Sequence, residues 1–216
     1  MSLVPDNVRA RNNLGASYQA LGKYQEAISL YEQMLKHSPT DQGYSNLGTC
    51  YYYVGRYSDA ASAYAKAFAM SPTSYRYVAN LGDAYRWIPG NEQKSTTAYD
   101  SAISLARKQI ALNNRNTDAR SRLAECLAKR GRLAEAQTEI TEALRIDAND
   151  INSIYRAAII SLLAGDEKRS VEWLHDAVVH GSNPAQIASD PEFALLRQKQ
   201  TFKEATTATI ASGPKR

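Results

Sequence analysis

Apolar residues recur along the chain in a fixed local order. Three copies of one triplet mark it, Asn13-Leu14-Gly15, Asn46-Leu47-Gly48 and Asn80-Leu81-Gly82, each followed three residues after the glycine by Tyr18, Tyr51 or Tyr85. Leucine, glycine and tyrosine at steps 0, 1 and 4 form a stripe down one side of an α-helix, so each triplet predicts a helix with one packed face. Leu123-Ala124 with Leu127, and Ala157-Ala158 with Ser161, continue the series in degenerate form. The spacings from Leu14 through Leu47, Leu81, Leu123 and Ala157 are 33, 34, 42 and 34 residues.

A second half-pattern follows the first. It reads Gly22…Ala27…Tyr31…Met34…Pro39, then Gly55…Ala60…Tyr64…Ala67…Pro72, and later Gly131…Ala136…Ile140…Ala143 and Gly165…Ser170…Leu174…Ala177. The leading glycine suits a left-handed turn closing the first helix, and Pro39 and Pro72 end the second helices of the first two units. Each unit is therefore a helical hairpin. A hairpin alone cannot bury its apolar faces, whereas hairpins stacked in line share one continuous core.

This order of Leu-Gly, Tyr, Ala, an aromatic, Ala and Pro at a period near 34 resembles the tetratricopeptide repeat family over residues 8–181. The resemblance implies an all-α fold, a right-handed α-α superhelix (solenoid) of about five hairpins in a single domain over residues 1–216. The repeats fall at about 8–40, 41–74, 75–116, 117–150 and 151–181, and a C-terminal capping segment spans 182–207. In that cap, Pro184 and Pro191 each stand in the first turn of an expected short helix, and Phe202 is the last apolar residue. The 42-residue spacing holds eight extra residues. One falls in the loop Arg86-Trp87-Ile88-Pro89-Gly90-Asn91, and seven lengthen the following helix to Asn113-Asn114. Two added turns, about 10 Å, nearly preserve the apolar phase, and serve either partner geometry or nothing in particular.

The resemblance also implies a concave groove lined by the first helix of each hairpin, and a partner protein whose peptide or helix lies in it. Counting from the leucine, the helix face opposite the packed stripe gives the candidate groove residues Asn13, Asn46, Thr49, Tyr52, Arg76, Asn80, Asp83, Arg86, Arg122, Glu125 and Arg156, with Tyr53 and Trp87 beside it. A carboxamide both donates and accepts, so Asn13, Asn46 and Asn80 suit the backbone of an extended peptide. Trp87 and the arginines are of the types enriched at interface hot spots. Some family members grip a chaperone's C-terminal carboxylate with Lys and Asn, then Asn, then Lys and Arg on successive first helices. Asn46 and Arg76 match that clamp, but Asn12, Ala16 and Asn80 replace the rest, so chaperone-tail binding is not expected. A looser likeness of residues 86–193 to repeat regions appended to bacterial signalling proteins, such as serine/threonine kinases, implies the alternative of a regulatory or self-association module, with a homo-oligomer as its product.

The chain has 216 residues, 44% hydrophobic and 22% charged, which suits a folded globular protein. No apolar run reaches the roughly 18 residues of a membrane span, and the N-terminus lacks the basic-then-apolar order of a secretory signal, so a cytoplasmic protein with no membrane partner is expected. A net charge of +4 does not by itself call for nucleic acid. Residues 107–132 hold eight Lys/Arg against Asp118 and Glu125, a local +6 that is read as a solvated face. An RNA-binding helical repeat would use those arginines and bind with steep salt dependence. Cys50 and Cys126 occupy the same small-residue position in non-adjacent repeats and are expected to be reduced packing residues. His37, His175 and His180 have no nucleophile or carboxylate at a recognisable spacing. Gly22-Lys23 lacks a phosphate-cradling loop. The chain is therefore expected to be no enzyme, with no metal and no cofactor.

Overall fold

The apolar stripes become helices. The structure, a computed structural model, describes residues 5–207, with side chains from residue 8 onward. The first hairpin is α1 (Pro5–Ala20) with α2 (Tyr24–His37), followed by α3 (Asp41–Tyr53) with α4 (Tyr57–Met70) and α5 (Tyr75–Arg86) with α6 (Glu92–Leu112). Then come α7 (Thr117–Lys129) with α8 (Leu133–Ile146) and α9 (Ile151–Leu163) with α10 (Glu167–Val179). The C-terminal segment holds α11 (Pro184–Ser189), a 3-10 turn at Pro191–Phe193 and α12 (Gln200–Thr207). No strand occurs among the described residues, and no helix there is long and apolar enough to cross a membrane.

Local chemistry sets the helix ends. Thr40, Ser74, Asn116 and Asp150 each accept a hydrogen bond from a backbone N–H in the first turn of α3, α5, α7 and α9, a cap that stabilises a helix by about 1 kcal/mol. The turns inside the hairpins work differently. Gly55 adopts φ 79°, as expected for a left-handed closing turn, and Gly22, Gly131 and Gly165 repeat it at 72°, 74° and 83°. α2 and α4 stop two residues before Pro39 and Pro72. The long helix is α6, with 21 residues where α2, α4 and α8 have 14. Its last leucine, Leu112, is 83% exposed. In the cap, α11 has Pro184 in its first turn as expected, whereas the second expected helix is only the three-residue 3-10 turn. α12 is an addition that the sequence pattern did not announce.

The chain divides into two compact units, one ending at Ser101 and the other beginning at Ala102, inside α6. In the first unit the hairpins close on a repeated seat. The ring of Tyr31 lies over Gly15, that of Tyr64 over Gly48 and that of Tyr99 over Gly82, so tightly that a Cβ on any of these glycines would sit 2.8, 2.8 or 2.9 Å from a ring carbon. Each tyrosine then reaches toward the residue after its glycine. Tyr64 Oη donates to Thr49 Oγ1 at 3.0 Å and Tyr99 Oη to Asp83 Oδ1 at 2.8 Å. Ala16 stands at that place in the first hairpin, and the Tyr31 hydroxyl is buried without a well-formed hydrogen bond. Burial pushes that phenol up to about 12, with the Asn46 carboxamide pulling the other way. Thirteen of the fourteen tyrosines belong to this unit.

The second unit solves the same packing problem with other residues. Where the first has glycine under tyrosine, it has Ala124 with Ile140 and Ala158 with Leu174, all fully buried or nearly so. A methyl added on one helix is matched by a shorter side chain on the other, which keeps interior density. The cap completes this unit. Ile187, Phe193 and Leu196, each 0% exposed, join Phe202 in one cluster with Ala158, Ile159, Leu174 and Val178. Covering those three side chains stabilises the unit by roughly 1.5–3 kcal/mol apiece before ordering costs.

Candidate functional site

In the first unit, α1, α3 and α5 carry the candidate residues at equivalent places. Asn13 is exposed, while Asn46 and Asn80 are half-buried. Asn46 accepts a hydrogen bond from Gln42 Nε2 at 2.9 Å, which points its carboxamide along the helix surface. Thr49 is held at both ends, donating to the Ser45 carbonyl and accepting from Tyr64. Asp83 accepts from Tyr99, so its carboxylate is fixed on the same face. These groups form a polar strip on three successive first helices, and the tyrosines beneath orient it.

The aromatic candidates gather at the turn end of the same helices. Tyr52 is buried and accepts a hydrogen bond from Trp87 Nε1 at 3.1 Å. Tyr53 stacks on Tyr24 with centroids 5.1 Å apart, Tyr57 touches Tyr52 edge-on at 5.6 Å, and Tyr57 stacks on Trp87 at 6.0 Å. Arg86 lies over the Trp87 ring at 5.5 Å, and the exposed Arg76 over Tyr75 at 5.4 Å. Tyr52 is thus a packing residue, while Tyr53, Trp87 and the two arginines keep exposed area.

The candidates of the second unit meet one another. Glu125, on α7, is 3% exposed, and its carboxylate receives Lys129 Nζ at 2.7 Å, Arg122 Nη1 at 3.0 Å and Arg156 Nε, from α9, at 3.3 Å. Arg156 also donates to Asp118 at 3.1 Å and to Ser121 Oγ at 2.7 Å. Burial alone would push the Glu125 carboxyl up, but Lys129, Arg122 and Arg156 together hold it well below the usual carboxylate range. The cap supplies the remaining members. Glu192 pairs with Lys129 at 3.2 Å. Asp190 accepts from Tyr155 Oη at 2.5 Å and from the Glu192 backbone N–H at 2.9 Å. Phe193 meets the Tyr155 ring edge-on at 5.8 Å. Burial pushes the Asp190 carboxyl up to about 6, against the opposing pull of the Tyr155 hydroxyl. On this unit the face expected to be open groove is an internal charge cluster covered by the chain's own C-terminal segment.

Lys129, Asp190 and Glu192 are absent from the candidate groove residues. One signal was available, since Arg122, Glu125 and Lys129 stand three and four residues apart, the spacing of helix ion pairs. Three of the eight cations of the basic stretch are paired from α8, Arg120 on Glu139 at 2.7 Å, Arg132 on Glu135 at 2.7 Å and Arg107 on Glu135 at 3.0 Å. Both cysteines are buried and unpaired with each other, and burial pushes the Cys50 thiol up to about 12, which suits the packing role. No cluster of three or more His, Cys, Asp or Glu able to hold a metal ion occurs among the described residues.

Models of one family, described as tetratricopeptide repeat, match residues 6–73 and residues 96–174. Among solved structures the chain is similar to TTC0263, a thermophilic tetratricopeptide protein of Thermus thermophilus, with 17% identity over 86% of this chain and 98% of that one and a TM-score of 0.63. It is also similar to PilW, a type IV pilus biogenesis factor, with 16% identity over 94% and 91% of the two chains and a TM-score of 0.54. At these identities the likeness speaks for the fold alone. No curated protein matches the chain. Hairpin order, glycine seats and two family matches that together span more than half of the sequence agree, and the chain belongs to the tetratricopeptide repeat family.

Proposed function

We propose that the protein is a non-catalytic interaction scaffold whose first unit binds an extended segment of another protein along α1, α3 and α5. Proteins of this repeat family generally mediate protein–protein contacts, and the finer reading rests on one observation. Asn13, Asn46 and Asn80 recur at one helix position, flanked by the oriented Thr49 and Asp83, whereas the equivalent Arg122 and Arg156 of the second unit are drawn into an internal cluster. Carboxamides at a repeat spacing match peptide backbone groups and leave side-chain selection to Arg76, Arg86, Tyr53 and Trp87. A peptide-array selection on the intact protein, followed by titration of the selected peptide, tests the assignment. Asn13→Ala, Asn46→Ala and Asn80→Ala combined should weaken binding by about 100-fold, at roughly 1 kcal/mol per lost hydrogen bond, with helicity unchanged. Unaltered affinity would remove this face from consideration.

Self-association is a second reading with its own observation. Leu14 is 46% exposed, where its counterparts Leu47 and Leu81 are 6% and 9% exposed. Leu14→Glu should lower the mass measured by sedimentation if α1 meets a second copy, and a concentration-independent monomer in the unaltered protein would exclude this reading.

A further inference from the structure

Residues 190–199 meet the charge cluster and the core of the second unit through their side chains. Their backbone hydrogen bonds are short turn bonds within the C-terminal segment itself, Phe193 to Asp190, Ala194 to Pro191, Leu196 to Phe193 and Lys199 to Leu196, with Asp190 tied back to Gln186 and Ile187. The ties to the helices come from side chains. Asp190 meets Tyr155, Glu192 meets Lys129, Phe193 meets the Tyr155 ring, and Lys199 pairs with Glu167. A carboxylate on a cation and an aromatic ring in an apolar seat, carried by irregular backbone, is how a bound peptide is held.

The charges show what the seat selects. Arg122, Lys129 and Arg156 bring three positive charges, and the helices themselves return two negative ones, Glu125 and Asp118. The segment supplies the balancing anion on Lys129, as Glu192, and brings Asp190 together with its own Arg197. The Lys129 side chain is 2% exposed and that of Glu192 5%, so this pair is desolvated, and beside the Lys129–Glu125 pair the seat favours an anion in place of Glu192.

We propose that the α7–α9 face of the second unit is a receptor for an acidic, aromatic peptide segment, that Asp190-Pro191-Glu192-Phe193 is its resident occupant, and that a partner segment with a carboxylate next to an aromatic ring binds by displacing it. The site lies in the second unit and does not depend on the asparagine strip of the first. Asp190 adds a bias toward exchange, because near neutral pH the segment buries a carboxylate among Tyr155, Glu192, Lys129 and Arg197, whose guanidinium donates to the Asp190 carbonyl at 2.8 Å.

The test uses the full chain and a labelled peptide of residues 188–197, Ala-Ser-Asp-Pro-Glu-Phe-Ala-Leu-Leu-Arg. Glu192→Gln with Phe193→Ala weakens the resident segment, and the peptide should bind this variant about tenfold or more tightly than the unaltered chain. Lys129→Met added to the variant should return binding to the unaltered level, while alanines at Asn13, Asn46 and Asn80 should change nothing. Equal affinity for variant and unaltered chain, or indifference to Lys129, overturns the proposal. Circular dichroism checks that the variant is folded. Hydrogen exchange on the unaltered protein gives a second measure that needs no variant. Amides of residues 187–207 should exchange about tenfold faster than those of α9 and α10, and faster again with excess peptide. Exchange of the segment only together with α10 overturns the proposal as well.

Discussion

Replacing Glu125 by glutamine keeps the shape of the charge cluster and removes its central charge. Three cations then share Asp118 and Glu192. Each contact of the carboxylate, at 2.7, 3.0 and 3.3 Å, places charge centres about 4 Å apart, a favourable term of about 4 kcal/mol at the effective dielectric of about 20 that suits proteins. Desolvating the ions opposes this by several kcal/mol each, so the intact cluster adds little net stability, but breaking it from one side leaves buried positive charge and costs about 3–5 kcal/mol. The two tryptophans divide between the units, which makes the loss measurable. With Trp87→Phe, Trp173 becomes the reporter. It sits under the Arg169 guanidinium at 4.5 Å and against the core of the second unit. Urea unfolding followed by its fluorescence should show Glu125→Gln lowering the midpoint by about 2 M at a slope of about 2 kcal/mol per molar. Lys129→Gln added to it should cost less than the two single changes summed, by about 1 kcal/mol or more. A loss below about 1 kcal/mol, or additive changes, would refute the claim that these groups act as one buried cluster.

Two further outcomes follow from named contacts. Tyr64→Phe and Tyr99→Phe each remove a hydrogen bond and should each cost about 1 kcal/mol in thermal unfolding, whereas Tyr31→Phe removes a poorly satisfied buried hydroxyl and should fall within about 0.5 kcal/mol of neutral. Equal losses at all three would disprove the distinction. Asp190 has a folded value near 6 against an ordinary 3.8, so its protonated form is the one the fold favours. Its contribution is fully present below about pH 4 and is lost as pH rises through 6, a fall of about 3 kcal/mol. Asp190→Asn should flatten that part of the stability profile of the second unit, and an unchanged slope between pH 4 and 6 would count against the assignment.

The hairpins were legible because their signals are local. A stripe at steps 0, 1 and 4, a glycine at the turn and a proline past the end all act within one or two turns of helix, and even the seven added residues of α6 showed as an unbroken apolar phase. The cap was only half legible. Pro184 and Pro191 marked two starts, but between Pro191 and Gln200 turn bonds prevail over helix, and α12 holds few apolar residues to betray it. The candidate site was hardest to foresee in the second unit. A face count treats Glu125 and Arg156 as outward because it knows each helix alone. Their burial comes from α7 lying against α9 and from Glu192 arriving from dozens of residues away, and no periodicity encodes either.

The two ways of filling a hairpin also constrain how such a chain can change. Glycine beneath tyrosine and alanine beneath isoleucine or leucine are both dense, yet no single substitution leads from one to the other without harm. Alanine introduced first at Gly48 would press its methyl to 2.8 Å from the Tyr64 ring, an overpacking penalty of about 1–3 kcal/mol. An aliphatic residue introduced first over the glycine would leave a void where the ring had been, at a comparable loss. Passing from one couple to the other is therefore least costly when both of its members change together.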